Sequence, residues 1–208
     1  MNVLIIGATF GIGHELAKKY ANSSDTLVLL GRTEAKLEEF KKEFADRKAK
    51  IITDNLDVTI ATQCAEKISN ILKICPIINK VIYCSGYYQP HNTFEIDPAL
   101  FKKTMDVNFM GMINVFSFLL PHLKNQNHGH LGIVASLAGF GGLPNSSSYG
   151  PSKAAMMNYA ESIKIDCDKY NIKVSVINPG FVQSRLTEKN TFDMPFLMSA
   201  EKAASIIY

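Results

Sequence analysis

Short apolar runs rich in β-branched residues alternate with longer amphipathic stretches along nearly the whole chain. The apolar runs are continuous, which is typical of strands in a parallel sheet that is covered on both faces. These runs predict strands at 3–6, 26–30, 50–53, 80–84, 131–136 and 173–177. The amphipathic stretches predict helices at 12–21, 34–47, 61–73, 100–123 and 151–170. Repeated strand–helix–strand units with right-handed crossovers indicate an α/β fold with a doubly wound parallel sheet and helices on both faces.

The composition narrows the class of protein. Of the 208 residues, 47% are hydrophobic and 20% are charged, which excludes a disordered chain or a coiled coil. The length fits one domain spanning residues 1–208. The formal net charge is +3 and the chain has no basic run, which argues against a nucleic-acid partner.

The cysteines and the N-terminus bear on the cellular compartment. Cys64, Cys75, Cys84 and Cys167 form no CxxC pair and no metal-ligand spacing, and are typical of buried, reduced thiols. The N-terminus has no positive region before its short apolar run, and no apolar stretch is long enough to cross a membrane. The sequence therefore predicts a cytoplasmic protein with no metal site and no membrane partner.

A glycine-rich turn at 7–13 joins the first predicted strand to the first predicted helix. Glycines let the backbone turn tightly and approach a pyrophosphate, and the helix N-terminus supplies amide donors and the positive end of its dipole. This context predicts a dinucleotide site rather than an ordinary turn. The turn residues expected to bind the dinucleotide are Gly7, Thr9, Phe10, Gly11, Ile12 and Gly13.

The end of the second predicted strand indicates which dinucleotide is bound. A carboxylate there would bind the ribose 2′-hydroxyl of NAD, but this chain has Gly31-Arg32-Thr33. The Arg32 guanidinium can instead meet a 2′-phosphate with a charge-assisted hydrogen bond. We therefore expect NADP(H) to be preferred, with NAD(H) as the alternative.

Three polar residues lie at the end of the fifth predicted strand or after it. Ser136 ends this strand, and Tyr149 and Lys153 begin the next helix, where a spacing of four places them on one face. Pro151 is compatible with a first helical turn, where a missing N–H removes no hydrogen bond. Ligands of an open α/β sheet bind beyond the carboxyl ends of its strands, so these side chains form a candidate catalytic set.

With the glycine turn, Asn108 and Pro179-Gly180 in the same order, the chain resembles the short-chain dehydrogenase/reductases from residue 3 to about residue 184. The resemblance implies a Rossmann fold and an oxidoreductase that transfers a hydride between NADP(H) and a carbonyl or secondary alcohol substrate. It also implies a homodimer or homotetramer, with the helices near 100–123 and 151–170 at the seam. Cys84 and Ser85 depart from the residues usual in the family. By resemblance, the further cofactor-binding residues are Asp57, Val58, Ser85, Gly86, Tyr149, Lys153, Pro179, Gly180, Val182 and Ser184.

The resemblance also implies catalytic roles. Tyr149 would be the acid in reduction and the base in oxidation, Ser136 would bind the substrate oxygen, and Lys153 would hold the nicotinamide ribose. Asn108 would hold a water in a proton relay. A free tyrosine has a pKa of about 10. The Lys153 ammonium and an oxidised nicotinamide both stabilise tyrosinate, so we expect the pKa of Tyr149 to be lowered.

The resemblance also implies that residues 184–196 cover the active site. Apolar residues there and after the fifth strand predict mostly apolar walls and an apolar substrate. These residues are Leu137, Phe140, Leu143, Phe181, Met194 and Phe196.

The C-terminal part of the chain leaves an alternative open. Residues 200–208 predict a helix, and the seventh strand usual in similar proteins is missing, so the sixth strand would be an exposed edge. We expect the native protein to continue past Tyr208, with the helix lacking its packing partners. An interface over the edge is the other explanation. A shorter sheet would also suit a non-catalytic dinucleotide-binding or regulatory protein, whereas the glycine spacing disfavours a sugar-nucleotide epimerase or dehydratase.

Overall fold

The six predicted strands are all present in the computed structural model, which describes residues 1–208. They are β1 (Asn2–Ile6), β2 (Thr26–Gly31), β3 (Lys50–Asn55), β4 (Lys80–Tyr83), β5 (Gly129–Val134) and β6 (Ile172–Ile177). All pairs are parallel, in the order β3-β2-β1-β4-β5-β6. The chain order reverses between β1 and β4, and in sheets of this kind ligands bind in the crevice beyond the carboxyl ends at that point. The predicted α/β fold is confirmed.

Seven α-helices connect or follow the strands. They are α1 (Gly11–Ser23), α2 (Glu34–Glu43), α3 (Ala61–Ile74), α4 (Pro98–Met105), α5 (Gly111–Gln126), α6 (Tyr149–Asp168) and α7 (Ala200–Ile207). None of them has the length and apolar character needed to cross a bilayer.

Two local predictions need correction. The single helix expected at 100–123 is divided into α4 and α5 by a π-helical segment, Asp106–Met110. Such segments insert one extra residue into a helical turn and often occur at functional sites. The predicted strand at 131–136 ends at Val134, so Ser136 lies in the loop beyond β5 rather than at its last position.

The sheet separates two apolar cores. Successive side chains of a strand point to opposite faces. Leu4 and Ile6 accordingly pack with α3, α5 and α6, whereas Val3 and Ile5 pack with α1, α2 and α7. Full burial of each of these side chains contributes about 1.5–3 kcal/mol. The prediction of helices on both faces is confirmed.

The helix expected at 200–208 is present as α7, but the expectation that it lacks packing partners is wrong. Ala204 is fully buried in the core beside α1, and the Tyr208 ring centroid lies 4.9 Å from that of Tyr20. The apolar face of this short helix is therefore covered within the chain. β6 pairs only with β5 and lies at one edge of the sheet, as predicted.

Candidate active site

The glycine turn after β1 packs directly against the loop after β4. Gly7 has φ +87°, and a Cβ there would lie 2.5 Å from the backbone nitrogen of Ser85. A Cβ on Gly13 would lie 2.2 Å from the Gly7 carbonyl oxygen. Only glycine allows these close approaches, so the predicted tight turn is confirmed.

A cavity of about 500 Å³ extends from this turn along the carboxyl ends of the strands. Every residue predicted to bind the cofactor lines it, from Arg32 after β2 to Ser184 after β6. The α1 N-terminus opens onto this cavity and offers its free amides to an anion. These features fit a dinucleotide.

Arg32 and Asp57 are two of the charged residues that line the cavity. The carboxylate of Asp57 accepts hydrogen bonds from the backbone nitrogen of Thr59 at 2.9 Å and from its hydroxyl at 2.7 Å. Asp57 therefore orders the loop after β3. Arg32 is exposed and forms no ion pair within the protein, so its guanidinium is available to a ligand.

Tyr149 lies at the first position of α6, and burial raises its pKa to about 12. The Ser136 hydroxyl opposes this shift, and Tyr88, whose ring centroid lies 5.1 Å away, adds to it. The predicted lowering of the Tyr149 pKa is therefore not observed in the protein alone. The physical reason is that desolvation of the phenolate outweighs its hydrogen bond with the Ser136 hydroxyl.

Lys153 lies one turn further along α6 and is 3% exposed. Its ammonium donates a hydrogen bond to the Val134 carbonyl at 3.0 Å and lies 5.6 Å from the Tyr149 ring centroid. Burial lowers the pKa of Lys153 to about 8. The predicted proximity of the two side chains is confirmed.

Ser136 stands where the catalytic set was expected. Its hydroxyl accepts a hydrogen bond from the Ala138 backbone nitrogen at 3.2 Å, which caps the short 3₁₀ turn Leu137–Gly139. The same residue lines the cavity beside Tyr149. Ser136 therefore combines a capping contact with a position at the site.

Asn108 lies in the π-helical segment, fully buried, and does not line the cavity. Its amide oxygen accepts from the Tyr87 nitrogen at 2.6 Å. Its amide nitrogen donates to the Tyr87 carbonyl at 3.0 Å and to the Ser152 hydroxyl at 2.8 Å. Both side-chain N–H groups are thus engaged with protein, and Asn108 holds the loop after β4 against α6. The predicted water relay through Asn108 stays a prediction.

A second cavity of about 390 Å³ adjoins the first, and Ser136 and Tyr149 line both. No charged side chain lines it. Four of the residues expected to form apolar walls do so: Leu137, Leu143, Phe181 and Phe196. Phe140 and Met194 are not among its lining residues, and Phe140 is exposed to solvent.

The sequence analysis missed residues that close this second cavity. The Tyr88 hydroxyl donates to the Asn190 amide oxygen at 2.8 Å, and the Lys189 ammonium donates to the Tyr88 carbonyl at 2.8 Å. These contacts fasten the segment after β6 to the loop after β4. In the sequence, the only sign of this contact is that Tyr88 is an aromatic residue near the end of a strand. Such residues are too common to predict a contact with a residue about 100 positions further along the chain.

Comparison with known proteins agrees with this geometry. The family model for short-chain dehydrogenases matches residues 1–194. An uncharacterized oxidoreductase of Myxococcus xanthus is 31% identical over 204 residues, covering 98% of this chain and 81% of the relative. Dehydrogenase/reductase SDR family member 7B of Bos taurus is 28% identical over 191 residues, covering 89% of this chain and 59% of the relative.

Solved structures show the same fold. ElxO with NADP bound superposes with a TM-score of 0.90 at 23% identity, covering 100% of this chain and 89% of ElxO. A variant of actinorhodin polyketide ketoreductase with NADPH gives a TM-score of 0.88 at 17% identity, covering 99% of this chain and 88% of the neighbour. The relatives of the chain are named as oxidoreductases or dehydrogenases. Since the family model also spans nearly the whole chain, the chain belongs to the short-chain dehydrogenase family and is an NAD(P)-dependent oxidoreductase.

Proposed function

We propose that the protein transfers a hydride between NADP(H) and an apolar carbonyl or secondary alcohol substrate, with Tyr149 as the acid and base. The observation that carries this proposal is the junction of two cavities at Ser136 and Tyr149. One cavity has the glycine turn and helix N-terminus that suit a dinucleotide, and the other has apolar walls.

The roles of the side chains follow from their positions. A bound nicotinamide supplies the hydride in reduction and accepts it in oxidation. Tyr149 donates a proton to the substrate oxygen in reduction and removes it in oxidation. The Ser136 hydroxyl donates a hydrogen bond to that oxygen as negative charge develops. Lys153 binds the nicotinamide ribose, and its positive charge favours the tyrosinate form of Tyr149.

Two features support the choice of NADP(H). Arg32 lies at the end of β2 with no acidic partner, and the neighbouring structures of ElxO and of the ketoreductase carry NADP or NADPH. A guanidinium binds a phosphate with two parallel hydrogen bonds. A homo-oligomer and a cytoplasmic location stay predictions.

The cofactor is tested by titrating the protein with NADPH and NADH while nicotinamide fluorescence is followed. The chain has no tryptophan, so the nicotinamide signal is free of indole emission. We expect NADPH to bind at least about tenfold more tightly, a difference of about 1.4 kcal/mol. Arg32→Gln should remove this preference by weakening NADPH alone. Tight binding of neither cofactor to folded protein would contradict the proposal and favour a non-catalytic role.

The chemistry is tested with Tyr149→Phe in a panel of apolar ketones assayed with NADPH. Removing a general acid lowers the rate by about 10²–10⁴-fold. Affinity for NADPH should fall by no more than about tenfold, because the lost hydroxyl acts on the substrate oxygen and the loss of one hydrogen bond to the cofactor costs about 0.5–1.5 kcal/mol. A variant that retains near-normal turnover would exclude Tyr149 as the proton donor.

A further inference from the structure

Arg185 lines the cofactor cavity, and neither the family match nor the sequence pattern assigns it a role. Its guanidinium carbon lies 3.4 Å from the centroid of the Phe10 ring. Phe10 is the residue that precedes the first turn of α1. A guanidinium stacked on an aromatic face keeps its N–H edge free for hydrogen bonding. Arg185 is therefore held beside the amides at the N-terminus of α1.

The segment after β6 brings Arg185 to this position. A Cβ placed on Gly11 would lie 3.5 Å from the Ser184 side chain, so this segment lies next to the glycine turn. Ser184 is itself held by the Thr187 hydroxyl, which accepts from the Ser184 backbone nitrogen at 3.0 Å. The backbone before Arg185 is thus ordered, and the Arg185 side chain extends to the Phe10 ring in the glycine turn.

The charges that line the cavity show why Arg185 stands out. Four cations and one carboxylate line it: Arg32, Lys153, Arg185, Lys189 and Asp57. Lys153 donates to the Val134 carbonyl, and Lys189 donates to the Tyr88 carbonyl. Arg32 and Arg185 form no ion pair and no side-chain hydrogen bond, and of these two only Arg185 is stacked on an aromatic ring, that of Phe10. Arg185 lines the same cavity as the residues of the glycine turn.

We propose that Arg185 binds the diphosphate of the dinucleotide, opposite the amides of the glycine turn. Phe10 holds the guanidinium flat, and the turn amides and Arg185 grip the diphosphate from two sides. The proposal rests on the proposed function, because it needs a dinucleotide in this cavity. It separates two cations by role: Arg185 acts on the diphosphate common to NADPH and NADH, and Arg32 acts on the 2′-phosphate of NADPH.

The test compares Arg185→Gln with Arg32→Gln and with Lys202→Gln, an exposed α7 residue whose replacement changes the net charge equally. Affinities for NADPH, NADH and ADP-ribose are measured by nicotinamide fluorescence and by displacement. Arg185→Gln should weaken all three by a similar factor, about five- to tenfold, because each carries the diphosphate. Lys202→Gln should leave them unchanged.

One further ligand and one further variant make the test more specific. Adenosine 2′-monophosphate has no diphosphate, so its affinity should fall with Arg32→Gln and not with Arg185→Gln. Arg185→Lys keeps the charge without the flat stacking surface, so it should give a smaller loss than Arg185→Gln. Thermal unfolding of each variant is measured to check that its substitution leaves the fold intact.

Three outcomes would overturn the proposal. Unchanged affinities in Arg185→Gln would show that the stacked arginine has no contact with the ligand. A loss confined to NADPH and adenosine 2′-monophosphate would place Arg185 on the 2′-phosphate instead. In both cases the wild-type protein still binds NADPH, so the proposed function stands. If wild-type protein binds no dinucleotide, the proposed function and this proposal both fail.

Discussion

Lys153 lowers the stability of the folded protein, although the proposed function requires it. A buried ammonium is desolvated, and this lowers its pKa to about 8. Its only acceptors are the Val134 carbonyl and the Met156 sulfur. At neutral pH the folded protein therefore carries a charge that would be better solvated in the unfolded chain. Its retention is accounted for by the role that we propose for it beside Tyr149 and the cofactor.

Lys153→Met should abolish turnover and stabilise the protein at pH 7. The shift from an ordinary pKa of 10.5 to about 8 corresponds to a cost of about 3 kcal/mol. Loss of the hydrogen bond from the charged ammonium to Val134 offsets about 1.5–3 kcal/mol of this gain, so the net stabilisation should be at most about 1.5 kcal/mol. Urea unfolding with Lys202→Met as the surface control measures the difference.

The pH dependence of this gain has a defined sign. Between about pH 8 and 10.5 the unfolded chain binds the Lys153 proton and the folded protein does not, so wild-type stability rises with pH over this range. The advantage of Lys153→Met should therefore be largest below pH 8 and shrink towards pH 10. An advantage that does not vary with pH would contradict the assignment to a buried charge.

At the scale of elements, the junction between β1 and α1 depends on backbone contact with its neighbours. The turn lies against the loop after β4, and α1 starts so close to the turn that a Cβ on Gly13 overlaps the Gly7 carbonyl. The same close approach leaves the turn amides open to an anion. Glycine at these positions therefore serves both the packing of the junction and the binding of the dinucleotide.

Gly13→Ala should destabilise the protein by about 1–3 kcal/mol, because the added methyl group must displace backbone in a packed junction. Cofactor affinity should fall as well, since the turn amides move. Gly142→Ala is the matched control, because a Cβ there meets nothing within 4 Å. Equal stabilities of the two variants, compared by thermal unfolding, would show that the junction relaxes without strain.

For the whole molecule, α7 completes the core on the face of the sheet that carries α1. Ala203 and Ala204 are buried, and α7 is held at its start by the Ser199 hydroxyl, which accepts from the Lys202 nitrogen at 3.1 Å. Small residues let this short helix approach α1 closely. The last helix is therefore part of the fold that carries the site.

Ala204→Leu should cost about 1–3 kcal/mol of unfolding free energy, because the larger side chain has no space between α7 and α1. Ser205→Leu, on the exposed side of the same helix, adds the same side chain to the surface and should change stability little. Denaturant unfolding of the two variants measures the contrast. If both variants are as stable as wild type, the stability of the fold does not depend on close packing of Ala204 against α1.

Much of the site could be predicted because it depends on short-range pattern. Tyr149 and Lys153 share a helix face by their spacing, and the glycine turn lies between an apolar run and an amphipathic stretch. Asn108 could be identified only by resemblance, and its bonds to Tyr87 and Ser152 depend on how the loop after β4 meets α6. Contacts of that kind leave no periodic signal.

The sequence by itself determined the parallel sheet, the position of the dinucleotide turn and the pairing of Tyr149 with Lys153 on one helix face, because these follow from the periodicity and spacing of successive strand–helix units. Tertiary structure alone decided the direction of the Tyr149 pKa shift, because desolvation depends on everything packed around the phenol. It also decided the packing of α7 on α1 and the stacking of Arg185 on Phe10. These contacts join residues far apart in the chain, and they form only when the sheet and its helices assemble.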